Sequence, residues 1–305
     1  MKKALTIITI LLCVVLGLLW SVKHDKKNVV QNVAGEKIEN KEVASNTTST
    51  PEVKITFLDV GQGDASFIEF LDGEQMLVDC SIDARIIEAL GRVMPYYDHD
   101  IDYLLVTHPD SDHYGGCVDV LKRFEVKHVV YNGLQKDKEQ YWNEFMQAVK
   151  DEPGSQYIEL VKEDTWNIAS SSLHFLYPDH SLEQDPKIPG DTKETNTNNS
   201  SIVFTLACGK NSVLFTGDME TLLEQYLVHI YGKQLDTDIL KVGHHGSDSS
   251  SAQEFLDLVT PKKSVISVGA GNKFGHPSRR VLKRLDREGS NVLRTDVEGD
   301  ITIEL

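Results

Sequence analysis

Between Thr107 and Gly116 the chain reads Thr-His-Pro-Asp-Ser-Asp-His-Tyr-Gly-Gly, so His108, Asp110, Asp112 and His113 fall within six residues, directly behind a buried-strand pattern over 102–107. Imidazoles and carboxylates this concentrated are costly at the edge of a packed core unless a cation compensates them. The alternate spacing of His108, Asp110 and Asp112, with His113 adjacent, lets one turn send donors towards two neighbouring metals. A solvated loop could carry the same residues, but the strand in front and the glycine pair behind argue for a built site.

The flanking sequence is that of a mixed fold. Strand-like alternation runs over 53–60, a Gly61-Gln62-Gly63-Asp64 turn follows, and strands over 65–70 and 75–80 are joined by Asp72-Gly73 as a hairpin. Helical spacing occupies 83–93 and 116–124. Further on, strands at 213–215, 238–242 and 264–268 alternate with helices at 220–230, 251–258 and 277–287, and 291–305 reads as a closing strand pair. Two such successions predict two sheets stacked face to face with helices outside. The stretch 178–200, rich in Asp, Thr, Asn and Pro, is one long loop of the kind that often serves function.

Three more motifs behind the first cluster carry chemistry. Asp218 ends Phe215-Thr216-Gly217-Asp218 at a strand end, where a carboxylate can bridge two cations. His244 and His245 follow a strand in Lys241-Val242-Gly243-His244-His245-Gly246-Ser247. On extended backbone adjacent side chains point oppositely, so one of the two faces the metals and the other meets substrate or packs; His244 is taken as the ligand. His276 precedes Pro277, which suits the first turn of a helix whose N-terminus favours an anionic oxygen. It is either the last ligand or a proton donor to the leaving group.

These motifs, with Asp59-Val60-Gly61-Gln62-Gly63-Asp64, resemble the metallo-β-lactamase-fold hydrolases. The cluster is similar to their HxHxDH motif with Asp110 in place of the second His, a variant that resembles the extracytoplasmic domain of the competence protein ComEC and its stand-alone relatives. The resemblance covers 53–305 and implies an α+β, four-layer αβ/βα sandwich with the active site at the strand ends between two halves. It implies two divalent metal ions, Zn or Mn, on His108, Asp110, Asp112, His113, Asp218 and His244, activating a bridging water, with Asp112, His245 and His276 in catalytic roles. A further His usual in the superfamily is missing. His174 and His180 lie in that interval outside any matching motif, and Asn199 or Ser200 is the candidate for the vacated space, with Asn199 a substrate-binding candidate. Fewer imidazoles and more oxygens make Mn²⁺ a rival to zinc.

The substrate class follows from the same resemblance: a phosphodiester, with DNA favoured within that class. Thirty-one basic against 47 acidic residues give a net charge of −16, which excludes a general polyanion-coating protein but not a nuclease with a local basic patch. Arg279, Arg280, Lys283, Arg284 and Arg287 lie largely on one side of the helix after His276, with Lys273 in the loop before it. They read either as a solvated helix face or as a strip that follows a phosphate backbone. Lys273, Arg279 and Arg280 are the candidate substrate contacts. Alternatives are hydrolysis of a cell-envelope phosphocholine or related ester and, from another class, a catalytically silent binding module. No protein partner can be inferred.

Residues 1–22 read as a membrane segment: Lys2 and Lys3 precede an uncharged run from Ala4 to Val22, 19 residues at 1.5 Å rise each, with no clear small-x-small cleavage site. This predicts a single-pass anchor with the catalytic domain outside the membrane, a secreted form being the alternative. Residues 23–52 read as a polar tether and 53–305 as the hydrolase domain. Cys13, Cys80, Cys117 and Cys208 form no CxxC pair and read as structural thiols.

Overall fold

The computed structural model describes residues 53–136 and 138–305, so the expected anchor and tether lie outside the described residues. Among the described residues no helix is long and apolar enough to cross a membrane.

The first half begins as a meander of β1 (Val53–Phe57), β2 (Ser66–Phe70) and β3 (Gln75–Val78). Helix α1 (Arg85–Val93) then leads to β4 (Asp100–Leu105), the short turns α2 (Ser111–Tyr114) and α3 (Cys117–Leu121) to β5 (Glu125–Tyr131), and α4 (Gln140–Asp151) to β6 (Gln156–Glu159). The second half repeats the plan. Strands β7 (Asp164–Ile168), β8 (Ser171–Tyr177), β9 (Val203–Cys208) and β10 (Asn211–Phe215) are antiparallel neighbours. After them α5 (Thr221–Tyr231), β11 (Ile239–Lys241), α6 (Gln253–Val259), β12 (Lys263–Ile266), α7 (Arg279–Arg287) and β13 (Asn291–Arg294) form parallel crossovers. A last turn, α8 (Thr295–Glu298), ends in β14 (Ile301–Glu304).

The strands make two seven-stranded sheets, ordered β14-β1-β2-β3-β4-β5-β6 and β13-β12-β11-β10-β9-β8-β7. The expected closing strand pair is therefore corrected. β13 lies parallel to β12 and β14 antiparallel to β1, so the short helix between them carries the chain from one sheet to the other. Strands β5 to β9 and helix α4 had no sequence assignment.

Period-two patterning explains the layers. Met76 and Val78 of β3, with Val213 and Phe215 of β10, fill the core between the sheets, where the Phe57 and Phe204 rings stack on Phe215 with centroids 5.8 and 4.7 Å away. Leu77 points the other way, onto Ile86 and Leu90 of α1 and Trp142 and Phe145 of α4. Leu214 and Leu240 meet Leu223 and Leu227 of α5, Phe255 of α6 and Val281 of α7. Helix, sheet, sheet and helix thus stack in four layers.

Cys80 and Cys117 form a disulfide with Cα atoms 5.2 Å apart, which corrects the expectation of structural thiols. They are 37 residues apart in sequence, and no spacing rule pairs them. They meet because the 79–82 segment behind β3 wraps around the 108–116 loop, where the Cys80 N–H donates to the His113 carbonyl at 2.6 Å. Cys208 is buried in the core between the sheets.

Candidate metal centre

Most inner residues of the site sit just beyond the end of a strand, and Asp112 and His113 lie in the short turn α2 that follows β4. Asp79 follows β3, His108 follows β4, Asp218 follows β10, and the 243–246 turn follows β11. Parallel crossovers place these ends side by side, in the crevice that such sheets use for ligands. The 108–116 loop needs its glycine pair: a Cβ on Gly115 would stand 2.2 Å from the Ile82 carbonyl oxygen, and one on Gly116 would stand 2.3 Å from that of Cys80.

Asp218 is the hub. Its Oδ1 lies 3.2 Å from His113 Nε2, and its Oδ2 lies 3.5 Å from His245 Nε2 and 3.8 Å from His244 Nε2. Asp112 Oδ2 is 3.4 Å from the same His245 nitrogen. Donor atoms of His108, His113 and Asp218 fall within 4.8 Å of one another, as do those of Asp112, His113 and His245. The Nε2 atoms of His108, His113 and His245 and Oδ1 of Asp218 are buried without hydrogen-bond partners. Buried polar atoms are rarely left bare, and a convergence of them calls for a common partner. Imidazole nitrogens and carboxylate oxygens in these numbers suit two divalent cations, so the residues present fit a dinuclear centre.

The outer nitrogens are all engaged, which aims the inner ones. Asp79 Oδ2 lies 2.7 Å from His113 Nδ1, Thr107 Oγ1 is 3.0 Å from His108 Nδ1, and the Ser267 carbonyl is 2.9 Å from His245 Nδ1. Ser201 Oγ reaches His108 Nδ1 at 3.3 Å and accepts from the Asp218 N–H at 2.9 Å. Such partners fix the ring orientation and tautomer that a metal requires.

The electrostatics agree. Burial works to raise the Asp218 carboxyl, but the adjacent His245 and His113 rings outweigh it and hold it well below the usual carboxylate range. Burial works to lower His113, and the Asp218 and Asp79 carboxylates override it and raise it well above the usual histidine range. Such opposed drives are common where ionisable groups are gathered for function.

Several expected site residues sit differently. His244 and His245 are not on extended backbone; both adopt left-handed conformations (φ 47° and 51°) in a 3₁₀ turn, so the argument from opposed side chains does not hold. His245 points into the cluster and is buried, whereas His244 lies further out with Nδ1 3.2 Å from Glu220 Oε1. Asp110 stands beside His108, 3.6 Å from Nε2, with Lys136 Nζ at 2.9 Å and the Thr197 hydroxyl at 2.9 Å holding its carboxylate.

Asn199 does not fill the space of the missing His. Its side-chain oxygen accepts from the Glu220 and Leu223 N–H groups at 3.0 and 3.4 Å and so caps α5. Ser201 and Asn198 approach the centre instead, the latter with Nδ2 3.4 Å from His244 Nδ1. His174 and His180 pair with Glu163 and Asp179 outside the cluster.

His276 is at the rim, its ring centroid 5.7 Å from that of His244 and 5.8 Å from that of Phe274. Pro277 lies before the helix rather than in its first turn: α7 starts at Arg279, capped by Ser278 Oγ, which accepts from the Val281 N–H at 3.2 Å. Lys273, Arg279 and Arg280 are exposed. Arg280 Nη1 is 2.6 Å from Asp248 Oδ2, and Arg284 reaches the Ser250 and Ser251 carbonyls.

Residues 58–270 match the metallo-beta-lactamase superfamily. The chain belongs to that superfamily. Among curated relatives, this metallo-β-lactamase-superfamily chain is 31% identical over 268 residues to ComE operon protein 3 of Bacillus subtilis strain 168, covering 82% of this chain and 33% of that protein. It is 28% identical over 258 residues to competence protein ComA of Neisseria gonorrhoeae, covering 83% and 32% respectively. The chain thus spans about a third of the length of these relatives. Zn²⁺-bound PqqB from Methylobacterium extorquens shares the fold at TM-score 0.52 and 10% identity, with 82% of this chain and all of that one covered.

Sequence reasoning assigned no role to Asp79, Ser201, Glu220, Lys136 or Lys241. Asp79 had a signal, since an acidic residue closing a buried strand needs a partner. Lys241 opens the 241–247 motif without a role of its own, and the others had no signal short of the fold.

Proposed function

We propose that this chain is a metal-dependent phosphodiester hydrolase, with DNA the favoured substrate, acting outside the membrane. The observation that carries it is the convergence of the bare His108, His113 and His245 Nε2 atoms and Asp218 Oδ1 in one buried cluster. Likeness to the ComE operon and ComA competence proteins supports nucleic acid as substrate. The Cys80–Cys117 disulfide supports an oxidising compartment.

Bound there, two divalent cations supply an activated water and positive charge for a developing oxyanion. His113, Asp112 and His245 would hold one side of such a centre and His108 with Asp110 the other, with Asp218 shared by both. Oxygen donors are numerous, which keeps Mn²⁺ beside Zn²⁺ as the candidate metal. His244 replaces His245 as the side chain free for substrate. Glu220 anchors its Nδ1, leaving Nε2 facing the cleft, where it and the rim residue His276 are placed to hand a proton to the leaving oxygen. Lys273, Arg279 and Arg280, exposed beside that rim, contact the phosphate backbone beyond the scissile bond.

The test is metal content of the purified full chain, with cleavage of DNA and of bis-p-nitrophenyl phosphate in Mn²⁺ or Zn²⁺. Asp112→Ala and Asp218→Ala variants run alongside. Two ions per chain and cleavage lost in both variants are expected. Absence of metal and of cleavage refutes the hydrolase and leaves a binding module.

A further inference from the structure

Asp64 and Lys241 come from opposite halves of the molecule and meet in its interior. Asp64 closes the glycine-rich turn behind β1, and Lys241 ends β11. The two residues are 4% and 2% exposed, and Asp64 Oδ2 is 2.5 Å from Lys241 Nζ. The ammonium also donates to the Val242 carbonyl at 3.2 Å.

The carboxylate has a rigid mount. The Asp64 N–H donates to the Asp112 carbonyl at 3.0 Å, and the Asp64 carbonyl accepts from the Ser81 N–H at 2.8 Å. Gly63, at φ +113°, presses so closely on the 108–116 loop that a Cβ there would stand 2.4 Å from the Asp112 carbonyl oxygen.

One oxygen of this carboxylate is accounted for and the other is not. Oδ1 is buried and has no hydrogen-bond partner. Lysine offers a single compact charge, and it is spent on Oδ2. An Asp64 oxygen lies within 4.8 Å of donor atoms of Asp218 and His245, and one lies equally close to donor atoms of Asp79 and His113. A bare carboxylate oxygen beside a second buried carboxylate is unfavourable without a cation between them. His113 Nε2, His245 Nε2 and Asp218 Oδ1, atoms of residues in the same groups, are likewise buried without partners.

We propose that Asp64 is an additional protein oxygen of the metal centre, presented to the His113–Asp218–His245 side of the cluster by Lys241. This rests on the reading above that the cluster holds two divalent cations. Lys241 is then a positioning residue: it takes one carboxylate oxygen and leaves the other facing the cation.

Competition against a chromophoric chelator, with Zn²⁺ alone and with Mn²⁺ alone, tests this on the full chain. Wild type, Asp64→Asn and the double variant Asp64→Asn/Lys241→Met are compared, and thermal melts in EDTA establish that each is folded. The double variant removes both charges, so no unpaired ammonium is left inside should the single variant fail to fold. Two ions in the wild type, with one of them bound at least tenfold more weakly by the folded variants, is the expected result. Wild-type affinity for both ions in the double variant overturns the proposal, because Asp64 is then only the counter-ion of Lys241. A wild type that binds no pair of ions removes the centre itself, and Asp64 with it.

Discussion

The Asp79 carboxylate divides its two oxygens between the ring and the strand end that carry the centre. Oδ2 lies 2.7 Å from His113 Nδ1 and accepts from the Thr107 hydroxyl at 2.8 Å, while Oδ1 accepts from the Thr107 N–H at 2.8 Å. It thereby fixes the end of β4 and the His113 tautomer together. Truncating it leaves the ligands present but unaligned.

Asp79→Ala is therefore expected to weaken metal binding by about 10- to 100-fold while the far-ultraviolet circular dichroism stays that of wild type. Chelator competition reads the affinity. An unchanged metal affinity would show that the strand end holds its geometry without this carboxylate.

The disulfide closes a loop between residues 37 apart that contains the first metal cluster. Cys80→Ser/Cys117→Ser is expected to lose about 2–4 kcal/mol of unfolding free energy. Urea unfolding of both proteins with EDTA present measures this apart from metal. Coincident curves would mean the bridge adds nothing to the folded state.

Glu224 gives a pH dependence with a defined sign. It is buried on α5, and its carboxylate accepts from the Ser251 and Ala252 N–H groups ahead of α6. Burial pushes its carboxyl up from 4.5 to about 7, the two N–H donors and Arg284 only partly offsetting this. A carboxyl raised on folding gives its full stabilisation below the unfolded value and loses it as pH rises through the folded one. Between about pH 5 and pH 8 the metal-free wild type should lose up to about 3 kcal/mol that Glu224→Gln does not. Parallel stability curves for the two proteins would refute the shift.

Arg279 is exposed at the start of α7. Arg279→Ala is expected to raise KM for DNA several-fold and to flatten its salt dependence, while turnover of bis-p-nitrophenyl phosphate, too small to reach the helix, stays level. Equal losses on both substrates would place Arg279 in the centre's support instead.

What was legible in the sequence were features written locally. The strand before His108, the Gly-Asp end of β10 and the two-against-three-and-a-half periodicities lie within a few residues of one another, and the two-sheet architecture follows from them. Partnerships across the fold were not legible. Cys80 with Cys117, Asp64 with Lys241 and Ser201 with His108 each join segments whose proximity depends on which strands neighbour which. The backbone at His244 and His245 was not legible for a different reason. Adjacent histidines after a strand suggest continued extension, but the chain turns left-handed at both residues, a feature no local pattern announces. Asn199 was misplaced because an amide near a metal loop and an amide capping a helix look alike in one dimension.

Strand β14 lies beside β1, pairing Ile303 with Ile55 across nearly the whole domain. A chain emerging N-terminus first therefore carries β1 with an unpaired edge until β14 is synthesised. The sheet that holds His108 and Asp112 stays open to pairing with strangers throughout that interval. Completion of the fold is consequently a late and non-local event. Removing β14 would leave every metal donor in place yet produce a molecule inclined to join its neighbours edge to edge.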